Sequence, residues 1–208
     1  MNKISQTRTG VDGVQRKLDD IKDYLVGKVE GTIMSNLTSK INTLSHKDAV
    51  VARFIRIKLH DLLTADVVGL KAWADYFDAH CADRFRKKSG NNWKVTDLSK
   101  AILEAFNFTS FRSGVLVEVA KQLNVKTCPY CNMHYTLYVN EPRKRSVKKL
   151  AKFQFDHFFD KSSYPMLSMS FYNLIPSCGV CNQGKSTGQL ALEYNPYYGD
   201  IHSLFHFE

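Results

Sequence analysis

Two Cys-x-x-Cys pairs frame an Asp-His dipeptide, and the second pair runs straight into Asn and Lys. The residues are Cys128-Pro-Tyr-Cys131, then Phe155-Asp156-His157-Phe158, then Asn173-Leu-Ile-Pro-Ser-Cys178-Gly-Val-Cys181-Asn182-Gln-Gly-Lys185. A Cys-x-x-Cys knuckle offers two sulfurs to one ion, and two knuckles close a tetrahedral four-sulfur zinc site with no open position. Such a site holds a fold together and does no chemistry. With 46 residues between the pairs, it would staple segments distant in sequence. A carboxylate such as Asp156 is a hard oxygen ligand suited to magnesium or manganese. A neutral imidazole such as His157 can take a proton from water near neutral pH.

Other readings of these residues stand beside the zinc one. Taken alone, Cys128-Pro-Tyr-Cys131 also fits a dithiol oxidoreductase, which wants the motif after a strand and at a helix N-terminus. Here a helical stretch (Val115 to Leu123) precedes it, a strand-like run (Tyr135 to Val139) follows it, and the second pair is left unexplained. Free buried thiols are the remaining alternative. His134 is a spare ligand if one cysteine is unused. Cys81 reads as a small buried hydrophobe in a helix. His46, His60 and His80 have no partner motif, and His202 and His206 lack the Glu that a zinc-protease motif requires.

The elements that must position the dipeptide are short. Phe153 to Phe159 is aromatic-rich and reads as a strand. Neighbours on a strand face opposite ways, so Asp156 and His157 can do different jobs. Tyr172 to Pro176 reads as a loop ending at a proline, and Cys181 to Lys185 as the lead into a helix or turn.

Asp-His, a loop with Asn-Leu-x-Pro, and Cys-x-x-Cys-Asn-x-x-Lys with an upstream Cys-x-x-Cys together resemble the HNH endonucleases of the ββα-metal fold. The resemblance covers about residues 126–197. It implies that His157 is the general base, that Asp156 and Asn182 hold the catalytic divalent ion, that Asn173 shapes the loop and holds the base, and that Lys185 neutralises phosphate. Products would carry a 5′-phosphate and a 3′-hydroxyl. Lys126-Thr-Cys-Pro-Tyr-Cys131, His157-Phe-Phe-Asp-Lys161, Tyr164-Pro165 and Asn195-Pro-Tyr197 extend the likeness to Septu-type and retron-associated HNH nucleases of bacterial anti-phage systems, which work beside an ATPase.

Charge points the same way. The chain has 29 Lys and Arg against 20 Asp and Glu, a formal net of +9. Residues 121–161 carry nine basic and three acidic residues. The insert Arg143-Lys144-Arg145-Ser-Val-Lys148-Lys149 reads as a basic hairpin tip that contacts a phosphate backbone, with a solvated loop as the plainer alternative. Arg84, Arg86, Lys87 and Lys88 read as the end of a helix.

The first 120 residues carry no catalytic motif. Apolar residues recur at helical spacing in three runs: Val14, Leu18, Ile21, Leu25; Ile33, Leu37, Ile41, Leu44; and Val50 through Leu63. A further helix is expected over Asp66 to Phe85, broken by Gly90-Asn-Asn-Trp93, then one capped by Thr96, and a last one from Gly114 to Leu123. The expected class is α+β: a helical region over residues 1–124, and an HNH core over 125–208 stapled by a four-cysteine zinc site. No run of apolar residues is long enough to span a membrane, Met1-Asn-Lys-Ile-Ser shows no secretory signal, and four cysteines arranged for metal fit a reducing cytosol. After Tyr194-Asn-Pro-Tyr197-Tyr198, the stop at Phe205-His-Phe207-Glu208 is expected either as a cut in a longer chain or as an exposed aromatic tail that docks on a partner.

The expectation is thus a DNA endonuclease with structural zinc and catalytic magnesium or manganese, restrained by an ATPase partner. A ribonuclease or tRNA-cleaving toxin would use the same residues. A non-catalytic zinc module that binds nucleic acid or an ATPase would not need Asp156, His157 or Asn182.

Overall fold

The computed structural model describes residues 3–90, 92–143, 146–151 and 153–199, the side chains of 92 and 138–151 excepted. A hairpin opens the chain, pairing β1 (Thr7–Thr9) with β2 (Gln15–Lys17). Helix α1 (Leu18–Ile41) follows at once. The Asp20 carboxylate accepts from the Lys17 backbone N–H at 3.0 Å, and Asp19 and Asp20 suit the positive end of the helix dipole.

Leu18, Ile21, Leu25, Val29, Ile33, Leu37 and Ile41 recur every three or four residues, and all are buried. The two runs expected as separate helices are therefore one 24-residue helix. Gly27 and Gly31 do not interrupt the seam, because both lie on the exposed side where an added Cβ would meet nothing within 4 Å. Val14 falls outside the helix, in the hairpin, and is 50% exposed.

Around this spine pack α2 (His46–Ile57), α3 (Leu59–Thr64), α5 (Asp97–Phe106) and α7 (Val115–Leu123), with α4 (Val67–Phe85) and the short α6 (Phe108–Arg112) outside them. Side-chain caps start several of them: Ser45 accepts from Asp48 N–H, Asp66 from Gly69 N–H and Thr96 from Ser99 N–H. Asn107 and Asn124 close α5 and α7 at φ 47 and 44, a left-handed geometry that asparagine tolerates. The Arg84–Lys88 cluster is only partly a helix end. Helix α4 stops at Phe85, and Arg86 opens a strand, β3 (Arg86–Ser89), that turns at Gly90 (φ 62) into β4 (Asn92–Val95).

The second half is built from hairpins. The basic insert is one: β5 (Tyr138–Arg143) pairs with β6 (Ser146–Ala151). Its tip residues Lys144 and Arg145 lie outside the described residues, as do the side chains of Arg143, Lys148 and Lys149. β7 (Gln154–His157) pairs antiparallel with β8 (Leu174–Ser177), and α8 (Gly179–Lys185) follows. The stretch expected as a loop before Pro176 is therefore largely strand. Proline cannot donate to a ladder, but a strand of a two-stranded sheet has a free edge that tolerates it.

The result is a mixed α+β chain in which one buried apolar cluster runs from Ile4 through the helices to Phe159, Met166, Phe171, Ile175 and Tyr197. Hydrogen bonds cross it: Ser170 Oγ donates to the Leu62 carbonyl at 2.6 Å, Tyr164 Oη to Asp78 at 2.6 Å, and Ile4 N–H to the Pro196 carbonyl at 2.7 Å. Tyr197 is not exposed as its place near the chain end suggests. It is 3% exposed, packs on Phe171 and Tyr172, and donates to the Leu174 carbonyl. Tyr198 is exposed, and Phe205 and Phe207 lie outside the described residues. Among the described residues no helix is long and apolar enough to cross a membrane.

Because Ile33 is fully buried on the spine and Ile57 is 71% exposed, Ile33→Ala is expected to destabilise the chain by about 2–5 kcal/mol and Ile57→Ala by under about 0.5, read from urea unfolding.

Candidate active site

The four cysteines of the two knuckles converge, their sulfurs within 4.8 Å of one another, in position to hold a metal ion. Cys131 Sγ and Cys178 Sγ are 4.0 Å apart. A tetrahedron with metal–sulfur bonds of about 2.3 Å needs sulfurs about 3.8 Å apart, so the donor set fits zinc in chemistry and spacing. Cys128 and Cys131 sit in a turn closed by the Thr127–Tyr135 bridge rather than at a helix N-terminus, which removes the oxidoreductase geometry. Cys178 caps α8, its sulfur accepting from Cys181 N–H. His134 approaches Cys131 at 3.6 Å, but the cluster has its four ligands without it.

The Asp156 carboxylate is knotted to this cluster. It is 2% exposed. Its Oδ2 accepts from Tyr130 Oη at 2.7 Å and its Oδ1 from Lys185 Nζ at 3.2 Å. Burial raises the Asp156 pKa, and Lys185 and Tyr130 partly offset it. Burial and the Asp156 charge push the Tyr130 hydroxyl well up, so it stays a donor. Lys185 does not stand free for phosphate here: its side chain is 5% exposed and its ammonium also donates to the His157 carbonyl at 2.7 Å. Two of the roughly four lone-pair positions of the carboxylate remain for a cation.

His157 is 8% exposed beside Phe108, whose ring centroid is 4.6 Å away. Its Nε2 lies 3.0 Å from the Ser168 carbonyl. A carbonyl only accepts, so Nε2 carries the hydrogen and Nδ1 keeps the basic lone pair. Burial first, and then the Lys161 charge, lower the pKa to about 3, so the ring is neutral at pH 7.

Asn173 fixes that arrangement. It is fully buried. Its Oδ1 accepts from Phe159 N–H at 2.6 Å, and its Nδ2 donates to the Phe159 and Leu167 carbonyls at 3.1 and 2.8 Å. One amide thus ties the chain two residues after His157 to the residue before Ser168, the acceptor of the His157 ring.

Asp156, His157 and Asn182 line one cleft of about 280 Å³, together with Gln154, Phe108, Arg112, Asp160 and Lys161. Asn182 Nδ2 donates to Gln154 Oε1, which leaves the Asn182 carbonyl oxygen as a ligand. Burial would raise the Asp160 pKa, but hydrogen bonds from Ser162 and Ser163 hold it below the usual value, so Asp160 stays ionised. Lys161 Nζ sits 5.1 Å over the Phe108 ring. Of the basic pair at this cleft, Lys161 entered the sequence reading only as part of a resemblance motif, and Arg112 not at all. Lys161 follows the Asp-His strand closely enough to be suspected, whereas Arg112 comes from a helix with no motif. Tyr130 hid as a spacer inside its knuckle. Comparison with protein-family models, with curated proteins and with solved structures finds no match.

The lowered His157 pKa has a consequence for folding. An unfolded histidine titrates near 6.5, so as pH falls the unfolded chain takes up this proton first and stability drops between about 6.5 and 3. His157→Gln is expected to lose about 2 kcal/mol less than the parent between pH 7 and pH 5, measured by urea unfolding at each pH.

Proposed function

We propose that this chain is an HNH endonuclease of the ββα-metal type: it hydrolyses phosphodiester bonds of DNA with a divalent ion, and a zinc ion on Cys128, Cys131, Cys178 and Cys181 holds its fold. The observation that carries the reading is that Asp156, His157 and Asn182 line one cleft, with the Ser168 carbonyl fixing the hydrogen of the His157 ring on Nε2.

The residues divide the work as follows. His157 Nδ1 takes the proton from the attacking water, and the ring is neutral at pH 7 because burial holds its pKa down. Asn173 is a positioning residue that holds the Ser168 acceptor and the backbone after His157 in one frame. Asp156 and Asn182 offer the hard oxygens that would hold magnesium or manganese, and two protein ligands leave room for water and phosphate oxygens. Such an ion, when bound, stabilises charge on the phosphate and on the leaving oxygen. Arg112 and Lys161, exposed at the cleft, draw the phosphate backbone in. Lys185 keeps the Asp156 carboxylate ionised in its buried position.

A role in anti-phage defence beside an ATPase rests on the likeness to Septu-type and retron-associated nucleases. Burial of Tyr197 removes one of the four aromatic residues that the chain end offered for docking, while Tyr198 stays exposed.

Purified protein incubated with plasmid, single-stranded DNA and total tRNA tests the reading, with Mg²⁺, with Mn²⁺ or with EDTA. DNA is expected to be cut with either ion and not with EDTA. Cutting of tRNA alone would make the chain a ribonuclease, and no cutting at all would leave a binding module. His157→Ala should lower the cleavage rate by at least ~10², the low end for a general base, with bound zinc unchanged.

Cys178→Ser should lower both bound zinc and soluble yield, because metal binding at such a site is coupled to folding. Metal analysis of protein purified without chelator is expected to give one zinc per chain, and a value under about half would defeat the assignment.

A further inference from the structure

The β3–β4 hairpin carries Arg86, Lys87, Lys88, Trp93 and Lys94 and no acidic residue. Its register pairs Arg86 with Val95, Lys87 with Lys94 and Lys88 with Trp93. Residues directly opposite share a face and alternate residues return to it. Arg86, Lys88, Trp93 and Val95 therefore form one face, and Lys87 and Lys94 meet on the other. Like charges directly opposite are destabilising. Arg84, two residues earlier, is paired with Asp48 at 3.4 Å, yet none of the hairpin cations has such an ion pair among the described residues. The hairpin is nonetheless tied at its base, where Thr96 N–H donates to the Phe85 carbonyl at 3.1 Å.

Trp93 is 61% exposed, the largest side chain the described surface leaves so open. The Arg86 guanidinium stands 5.3 Å from its ring centroid. One cation covers one face of an indole and leaves the other for a ligand. The ring borders a cleft of about 550 Å³ that Asp83, Arg86, Lys87 and Lys88 also line. An aromatic face flanked by unpaired cations is complementary to an unpaired base on a phosphate chain; a duplex offers the phosphates but hides the base faces. Burial and Asp78 raise the pKa of the Tyr164 hydroxyl and Arg86 opposes them, so the hairpin lies within electrostatic reach of the segment that follows His157.

We infer that the β3–β4 hairpin is a binding site for single-stranded nucleic acid, with a base stacked on Trp93 and the backbone led along Arg86, Lys87, Lys88 and Lys94. This deepens the nuclease reading, and rests on it for what is done to the bound strand, but the binding itself depends on the hairpin alone.

Fluorescence anisotropy of labelled oligothymidylate and of a labelled duplex of equal length, with full-length protein and no added divalent ion, tests it. The single strand is expected to bind more tightly. Trp93→Ala should weaken it by about 10-fold, one stacked base, and weaken the duplex by under about 2-fold, while Trp93→Phe keeps most of the affinity. Lys87→Gln with Lys94→Gln should flatten the plot of log affinity against log salt by about 1.4, two single-strand phosphate contacts. Circular dichroism checks that each variant is folded. Wild-type binding with Trp93→Ala unchanged, a preference for duplex, or no binding of either probe would overturn the proposal. If the Trp93 dependence holds but the parent cuts nothing with Mg²⁺, the nuclease reading falls alone; if the parent cuts and Trp93→Ala binds as the parent does, the hairpin proposal falls alone.

Discussion

The buried carboxylate of Asp156 is the constraint on which the rest of the site depends. An isolated carboxylate at 2% exposure would cost several kcal/mol and would protonate instead. Here three segments meet it: Tyr130 from the first knuckle, Lys185 from the last turn of α8, and the β7 backbone that carries it. Removing either partner leaves one carboxylate oxygen uncompensated in a buried place, which couples the placement of the first knuckle, the β7–β8 hairpin and α8. The four-cysteine cluster does this placing, because its two halves sit next to the two partners in sequence: Tyr130 lies between Cys128 and Cys131, and Lys185 is one helical turn past Cys181. Asn182, which lines the same cleft, directly follows Cys181, so the cluster also places it.

A second constraint governs the histidine. A neutral ring has one donor and one acceptor nitrogen, and which is which follows from the partner of the donor. The Ser168 carbonyl makes that choice, and Asn173 makes it durable by bonding on both sides of it. His157 and Asn173 are 16 positions apart in sequence yet share one frame, whereas the Phe158 and Phe159 rings that follow His157 anchor the frame in the apolar core.

Much of this was legible in the sequence, and the parts that were not have physical reasons. The knuckles, the Asp-His strand and the cap at Thr96 depend on residues close in sequence, and their positions follow from spacing and type. Helix α1 was read as two because the pattern skipped Val29, and exposed glycines look like breaks until their surroundings are known. Pro176 looked like the end of a loop because an edge position is invisible in a sequence. Lys185 looked like a phosphate ligand because a lysine near a metal motif gives no sign of pointing inward. Arg112 had no signal at all: it reaches the cleft only through the packing of α6 beside β7, a long-range fact.

That last point bears on what the helical region is for. It carries no chemistry of its own, yet Phe108 packs on the His157 ring and carries Lys161, and Arg112 lines the same cleft. Ser170, two residues past the Ser168 acceptor, is bonded to Leu62 of α3, and Tyr164 of the same segment to Asp78 of α4. The segment that orients the His157 ring is thus held from below by the helices as well as from within by Asn173. A force that shifted α3 or α4, such as a partner leaning on the exposed face of α4, would reach the Ser168 carbonyl through one hydrogen bond and a few peptide units. The helices and the segment that orients the His157 ring are thus mechanically joined, through Ser170 to α3 and through Tyr164 to α4.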